Sequence, residues 1–220
     1  FRRVYIDLPG MGSSSSGNVQ TSDDILQIVY QFAKEIVGER FILAGESYGG
    51  YIARGFVNKY PDMVCGLILL CPLVYPGTRQ GRVEPLTVMQ RDDEFLHTLS
   101  KEQYDSFTYM NVVLTKPVWD RYREDILPAI EIQNRHFLDE VLDGAFSFNV
   151  DEIEKPFVEP CLIIVGKQDT EVGYKDQFEL IANYPNTTYC AINRAGHNLQ
   201  IEQPNLFTDI VKQWLLDLDF

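Results

Sequence analysis

The chain has 220 residues, 45% of them hydrophobic and 12% aromatic, which suits one globular domain with a substantial core and an insertion, not a disordered chain. A formal net charge of -13 repels phosphate groups and so argues against nucleic acid or anionic membrane as partners. No apolar run approaches the roughly 18 residues that a membrane helix needs.

Residues 3–8 (Arg3-Val4-Tyr5-Ile6-Asp7-Leu8) read as a strand closed by a Pro9-Gly10 turn, and residues 13–17 as a flexible loop. Thr21 with Asp24 three residues on forms a capping-box pattern. Ile25, Ile28, Val29, Phe32 and Ile36 then recur at helical spacing, and Gly38 stops the helix. Next comes the most informative stretch. A short apolar strand from Phe41 runs into Gly45-Glu46-Ser47-Tyr48-Gly49, and an amphipathic helix follows at once, to about Tyr60 before Pro61. A Gly-x-Ser-x-Gly turn between strand and helix is a nucleophile elbow, which lifts a serine hydroxyl clear of the sheet on a strained backbone. Gly45 and Gly49 are expected to keep a Cβ out of the tight turn. The helix start points its free N–H groups and positive end at the place where an oxyanion would form.

Residues 64–71 are continuously apolar, as in a strand covered on both faces. Between residues 77 and 155 the texture changes. Phe95, Leu96, Leu99, Tyr104, Phe107, Trp119, Tyr122, Ile126, Phe137, Leu138, Val141 and Leu142 mark several amphipathic helices, without a comparable strand. Strand patterns resume at 161–166 and 188–192, with helices around 176–184 and 205–218. Alternating strands and helices interrupted once predict an α/β fold: a mostly parallel sheet flanked by helices, with a core of residues 1–76 and 156–220 and an inserted helical cap of residues 77–155.

Cys65, Cys71, Cys161 and Cys190 lie in or beside strands without metal-ligand spacing, so they are expected to be buried free thiols of a reducing, cytoplasmic compartment. The first residue is Phe and not Met, so an upstream segment is expected to have been removed or to lie outside this sequence. His97 and His136 sit on cap helices and read as surface or packing residues.

A serine hydroxyl needs a base within reach and a carboxylate to orient that base. Asp169 follows the strand at 161–166, and His197 follows the strand at 188–192 in Ala195-Gly196-His197. Candidate groups of a parallel sheet gather at the carboxyl ends of its strands, and here three strand ends supply them in the order Ser, Asp, His.

On Asp7-Leu8-Pro9-Gly10-Met11-Gly12, Gly45-Glu46-Ser47-Tyr48-Gly49-Gly50, Gly166-Lys167-Gln168-Asp169 and Ala195-Gly196-His197, the chain resembles the α/β-hydrolase superfamily, in particular its small capped bacterial serine hydrolases. The resemblance spans residues 1–76 and 156–220. It implies Ser47 as nucleophile, His197 as general base and acid, Asp169 as the orienting carboxylate, and the Tyr48 backbone N–H as one oxyanion-hole donor. It implies no metal or organic cofactor. A Ser at position 47 departs from the dehalogenase and epoxide-hydrolase branches, which attack with Asp.

The family pattern carries further strands ahead of the one at residues 3–8. One of them lies between that strand and the elbow strand, and its following His-Gly loop supplies the other oxyanion donor. This sequence shows no counterpart, so the fold is expected to be N-terminally incomplete. Either the strands lie upstream in the native protein, or residues 3–8 pair directly with the elbow strand. Losing one oxyanion donor typically costs about 100- to 1,000-fold in turnover. The expected activity is hydrolysis of an ester or related acyl bond of a small, partly apolar molecule, through an acyl-enzyme. The rival is a non-catalytic, ligand-binding member of the fold. Neither oligomeric state nor substrate is legible.

Overall fold

A computed structural model of the chain describes residues 2–77, 80–150, 153 and 155–218. The first helix, α1 (Ser22–Phe32), forms where its cap specifies. The Asp24 N–H donates to Thr21 Oγ1, and the Thr21 N–H donates to Asp24 Oδ2 at 2.9 Å. Ile25, Leu26 and Val29 face inward, a π-turn (Ala33–Val37) follows, and Gly38 ends it in the left-handed region at φ 72.

Strand β1 (Phe41–Glu46) leads through Ser47 into helix α2 (Tyr48–Lys59), which buries Tyr51, Ile52, Ala53, Phe56 and Val57. A short 3₁₀ turn (Pro61–Met63) then opens strand β2 (Val64–Leu70). The long insertion after β2 contains β3 (Gln90–Arg91), α3 (Asp93–Leu96), α4 (Lys101–Thr108), β4 (Val113–Leu114), α5 (Lys116–Asp125), α6 (Leu127–Ile132) and a π-turn (Phe137–Leu142). The chain returns to the sheet as β5 (Cys161–Gly166), α7 (Lys175–Glu179), β6 (Thr187–Ile192), α8 (Leu199–Glu202) and α9 (Pro204–Leu216).

The main sheet has the order β1-β2-β5-β6, and every neighbouring pair is parallel. The interior strand β5 is buried along its whole length, which explains why Cys161-Leu162-Ile163-Ile164-Val165 has no polar alternation. Because all four strands run the same way, the residues that follow them arrive together at one end of the sheet: Ser47, Cys71, Asp169 and His197.

The insertion has a core of its own. Leu96, Phe107, Val112, Leu114, Val118, Trp119 and Tyr122 are buried together, joined by Ile201 from α8. The Phe107 ring lies 5.4 Å from Trp119 and 5.5 Å from Tyr122, centroid to centroid. These aromatics therefore pack on one another, which fills the insertion and leaves their faces to no ligand. The helical reading of the insertion also missed the short parallel pair β3-β4, in which Gln90 sits opposite Val113 and Arg91 opposite Leu114. Two-residue strands are too short to show a period.

Residues 3–8 form no strand, contrary to the strand reading, and do not pair with β1, the second of the two alternatives. Val4 and Tyr5 are exposed, the latter by 83%, and the chain closes on itself from Asp7 onward. The Ser13 N–H donates to Asp7 Oδ2 at 2.9 Å, and the Ser14 hydroxyl donates to the Asp7 carbonyl at 2.7 Å. The reason is the non-local nature of a strand. An alternating β-rich sequence is stable as a strand only where a neighbour takes up its backbone groups, and β1 is bonded on its β2 side alone among the described residues.

Candidate active site

The elbow is strained where it must be. Ser47 has φ 51 and ψ -117, a region that L-residues avoid at a cost of about 1–3 kcal/mol. The other non-glycine residues with positive φ among those described are Cys71 (φ 40) and Arg194 (φ 59), just beyond β2 and β6. All three lie at the carboxyl end of the sheet, where the candidate groups converge. Backbone bonds hold the strain in place: the Ser47 N–H donates to the Leu70 carbonyl at 3.0 Å, and the Ser47 carbonyl accepts from Gly50, Tyr51 and Leu73.

The glycine expectation is half right. A Cβ on Gly45 would stand 2.3 Å from the Gly49 carbonyl oxygen, whereas one on Gly49 would meet nothing within 4 Å. The second crowded position is Gly50, whose Cβ would lie 2.7 Å from the Pro72 Cβ. Gly166 is as tight as Gly45: a Cβ there would fall 2.1 Å from the Gly196 carbonyl oxygen. That close approach lets the loops after β5 and β6 touch. The Lys167 N–H donates to the Ile192 carbonyl at 2.8 Å and the Gln168 N–H to the Ala195 carbonyl at 2.9 Å. Gly166→Ala must push these loops apart, so it is expected to lower stability by about 1–3 kcal/mol and to lower activity more than stability. Thermal melting and turnover measured on the same sample check this.

The loops so joined carry Asp169 and His197. Asp169 Oδ2 and His197 Nδ1 are 2.8 Å apart; the residues are 2% and 8% exposed. Asp169 Oδ1 accepts the backbone N–H groups of Glu171 (2.8 Å) and Val172 (3.0 Å), which fixes the carboxylate plane. Burial works against the Asp169 charge, but the His197 bond, the imidazole charge and these two N–H groups outweigh it and hold the carboxyl below its usual range. Burial likewise works against a charged His197. The bond to Asp169 and the negative charges of Asp169, Glu46 and Glu171 outweigh it, and the imidazole titrates above 6.5.

Ser47 is joined to this pair through the segment after β2. Cys71 follows Leu70, the carbonyl partner of the Ser47 N–H, and its Sγ lies within 4.8 Å of ligand atoms of both Asp169 and His197. No hydrogen bond links Ser47 Oγ to His197 among the described residues, and such bonds commonly tighten only when substrate binds. The Tyr48 N–H opens α2, where the helix itself offers it no acceptor, and the Tyr48 hydroxyl lies 2.9 Å from Ser22 Oγ. Burial pushes that phenol up to about 12.

Cys71, Asp169 and His197 are a conceivable metal-ligand trio, but their donors already serve one another. The Asp169 and His197 atoms share a hydrogen bond, and burial pushes the Cys71 thiol well up, which disfavours the thiolate that a metal needs. All four cysteines are free, Cys71 and Cys161 fully buried and Cys65 and Cys190 half-buried. His97 and His136 lie at the surface far along the insertion, His136 beside Glu140 at 3.1 Å. No helix among the described residues is long and apolar enough to cross a membrane.

The profile of the family described as serine aminopeptidase, S33, matches residues 1–204. The chain belongs to that family, within the α/β-hydrolase superfamily. A crystal structure of an α/β superfamily hydrolase from Oenococcus oeni PSU-1 is similar to this S33 chain at TM-score 0.87 and 31% identity, over 96% of this chain and 79% of the other. An uncharacterized hydrolase, YugF of Bacillus subtilis, is 23% identical over 96% of this chain and 79% of its own length. The monoacylglycerol lipase ABHD6 of Mus musculus is 26% identical over 96% of this chain and 67% of its own. Hydrolases, esterases and lipases recur among such relatives, and the S33 chain is accordingly of hydrolytic type.

Sequence reasoning left three polar residues of this S33 site without a role. Glu46, beside Ser47, accepts from Gln200 Nε2 at 3.1 and 3.3 Å, and burial pushes its carboxyl up. Glu202 accepts three backbone N–H groups at the foot of the His197 loop. The Asn198 side chain bonds Asn111 at 3.0 Å. A pattern of Glu or Gln a few residues after His was the available signal, and it is too common in helices to single out these residues.

Proposed function

We propose that the chain is a serine hydrolase that cleaves an ester or related acyl bond of a small, partly apolar substrate. The observation that carries the reading is the buried Asp169–His197 bond beside an elbow that holds Ser47 at φ 51. With Nδ1–H donated to Asp169, His197 Nε2 is left as the acceptor for the Ser47 hydroxyl proton. As Ser47 Oγ bonds to the acyl carbon, its proton passes to Nε2. The tetrahedral oxyanion is met by the Tyr48 N–H and the start of α2, and its collapse expels the leaving group, which takes the proton from His197. Water then attacks the acyl-enzyme by the same route, and Ser47 is regenerated. The scheme uses no metal or organic cofactor.

Two observations favour an acyl group with apolar character. The Tyr48 and Phe146 rings, both half-buried, meet edge to face with centroids 6.1 Å apart, Tyr48 being the residue after Ser47, and Tyr51 stacks on Phe148. Phe146 and Phe148 belong to the insertion, which as a cap would supply part of this apolar surface. The direct test is intact mass before and after a fluorophosphonate probe, alongside turnover of p-nitrophenyl esters of rising chain length. One adduct per chain and turnover of short to medium esters are expected. A folded chain that takes up no probe would move the non-catalytic reading ahead.

The pH dependence follows from the pair. The base must be neutral, so kcat/KM is expected to fall on the acid side with a midpoint above 6.5. For stability the signs differ between the partners. The raised His197 value contributes stability fully present below 6.5 and lost as pH rises from there through the higher folded-state value. The lowered Asp169 value contributes stability present above 3.8 and lost as pH falls from there through the lower folded-state value. A kcat/KM profile flat from pH 8 down to pH 5 would contradict the assignment of His197 as base.

A further inference from the structure

Glu202 lies outside the Ser47, Asp169 and His197 constellation, yet its bonds lead to it. The side chain belongs to α8 and the residue is 5% exposed. Its Oε2 accepts the N–H of Gly196, the residue immediately before His197, at 2.5 Å. Its Oε1 accepts the N–H groups of Val112 (2.5 Å) and Val113 (3.0 Å), where the insertion enters β4. On the other side of His197, Asn198 Nδ2 donates to Asn111 Oδ1 at 3.0 Å, and Asn111 Nδ2 donates to the Phe107 carbonyl at 2.7 Å; both asparagines are buried. The loop and the insertion are in direct contact, since a Cβ on Gly196 would stand 2.8 Å from the Met110 carbonyl oxygen. The residues flanking His197 are thus each tied to the segment 107–113.

A carboxylate in such a place is costly to bury, and burial indeed pushes its acidity down, raising the Glu202 carboxyl above its usual value. Three backbone donors converging from two separate segments are what a carboxylate, with two acceptor oxygens, can serve and an amide cannot. An amide has one acceptor oxygen, so its other end would turn N–H against N–H, either at Gly196 or at Val112 and Val113.

We propose that Glu202 is a positioning residue: by cross-linking the Gly196 N–H to Val112 and Val113, it seats the His197 loop against the insertion so that the imidazole faces Ser47, with Asn198 and Asn111 as the second tie. The proposal rests on the triad reading above. It makes the insertion a part of the device that aims the base, in addition to a cover for substrate.

The test compares fluorophosphonate labelling of the full chain in the wild type, Ser47→Ala, Glu202→Gln and Asn198→Ala, resolving kinact from KI, with thermal melting on each. Glu202→Gln is expected to stay labelled at Ser47, with kinact lowered about 10- to 100-fold, as when a hydrogen-bonded supporting residue is lost, and KI unchanged. A merely structural Glu202 would lower the melting temperature and leave kinact of the folded fraction at the wild-type value, which overturns the proposal. If Glu202→Gln does not fold, Asn198→Ala decides: a reduced kinact at unchanged KI supports the seating of the loop, and a wild-type kinact overturns it. Failure of the underlying reading looks different. A wild type that takes no probe, or Ser47→Ala that still takes it, sinks the triad itself whatever Glu202→Gln does.

Discussion

Ser47→Ala is expected to lower ester hydrolysis by about 10,000-fold or more and to leave the fold untouched. The residual rate would come from whatever binding and oxyanion stabilisation survive without a nucleophile. Stability separates this loss from misfolding. Alanine keeps the Cβ that makes φ 51 unfavourable, and the backbone bonds of residue 47 do not involve the hydroxyl, so the melting temperature should stay near the wild-type value. Ser47→Gly should be equally inactive yet more stable, because glycine relieves strain of about 1–3 kcal/mol. For a chain of this size each kcal/mol is worth about 2–4 °C in melting temperature. Full activity in Ser47→Ala, or a less stable Ser47→Gly, would show that the elbow is not the strained nucleophile turn described above. Turnover and calorimetry on the three proteins give the answer.

Asp169→Asn is expected to cost about 10,000-fold in kcat with little change in KM, and the structure says why the swap is so harmful. Two backbone N–H groups, from Glu171 and Val172, converge on Oδ1. The asparagine amide keeps those bonds only with its oxygen in that place, which turns its NH₂ toward His197 Nδ1. An unprotonated Nδ1 is then required, so the proton moves to Nε2 and the base has no lone pair for Ser47. The defect lies in the tautomer, with hardly any change of shape. Turnover within tenfold of the wild type, or a loss confined to KM, would remove Asp169 from the role of orienting His197. The ring nitrogen resonances of His197 offer an independent check, since the protonated nitrogen should change from Nδ1 to Nε2.

Much of this site was legible from residues close together in sequence. The elbow is written in eleven consecutive residues, and the structure places a strand, a strained serine and a helix there. The Thr21–Asp24 cap forms as read. The order of Ser47, Asp169 and His197 along the chain, each after an apolar run, was enough to expect them at one end of a parallel sheet, and Asp169 and His197 meet there at 2.8 Å. Gly45 was read for the right reason, while the crowding assigned to Gly49 belongs to Gly50 and Gly166, whose neighbours come from other parts of the chain.

What the amino-acid sequence determined by itself, then, is whatever a single segment can satisfy alone: caps, the strand-to-helix turn, the apolar period of α1 and α2, and the unbroken apolar run of β5. Tertiary structure decided the rest. Residues 3–8 have a strand's composition but pair with no strand among the described residues, and so they form none. The insertion's aromatics read as helix packing in one dimension, and only the fold decides the partners: Phe107 meets Trp119 and Tyr122. Glu202 reads as an ordinary helix acid until the fold brings it the N–H groups of Val112 and Val113 from about ninety residues away. The physical reason is the same each time. A backbone N–H, a carboxylate or a ring is satisfied by a partner, and where that partner is distant in sequence only the packed chain says whether it arrives.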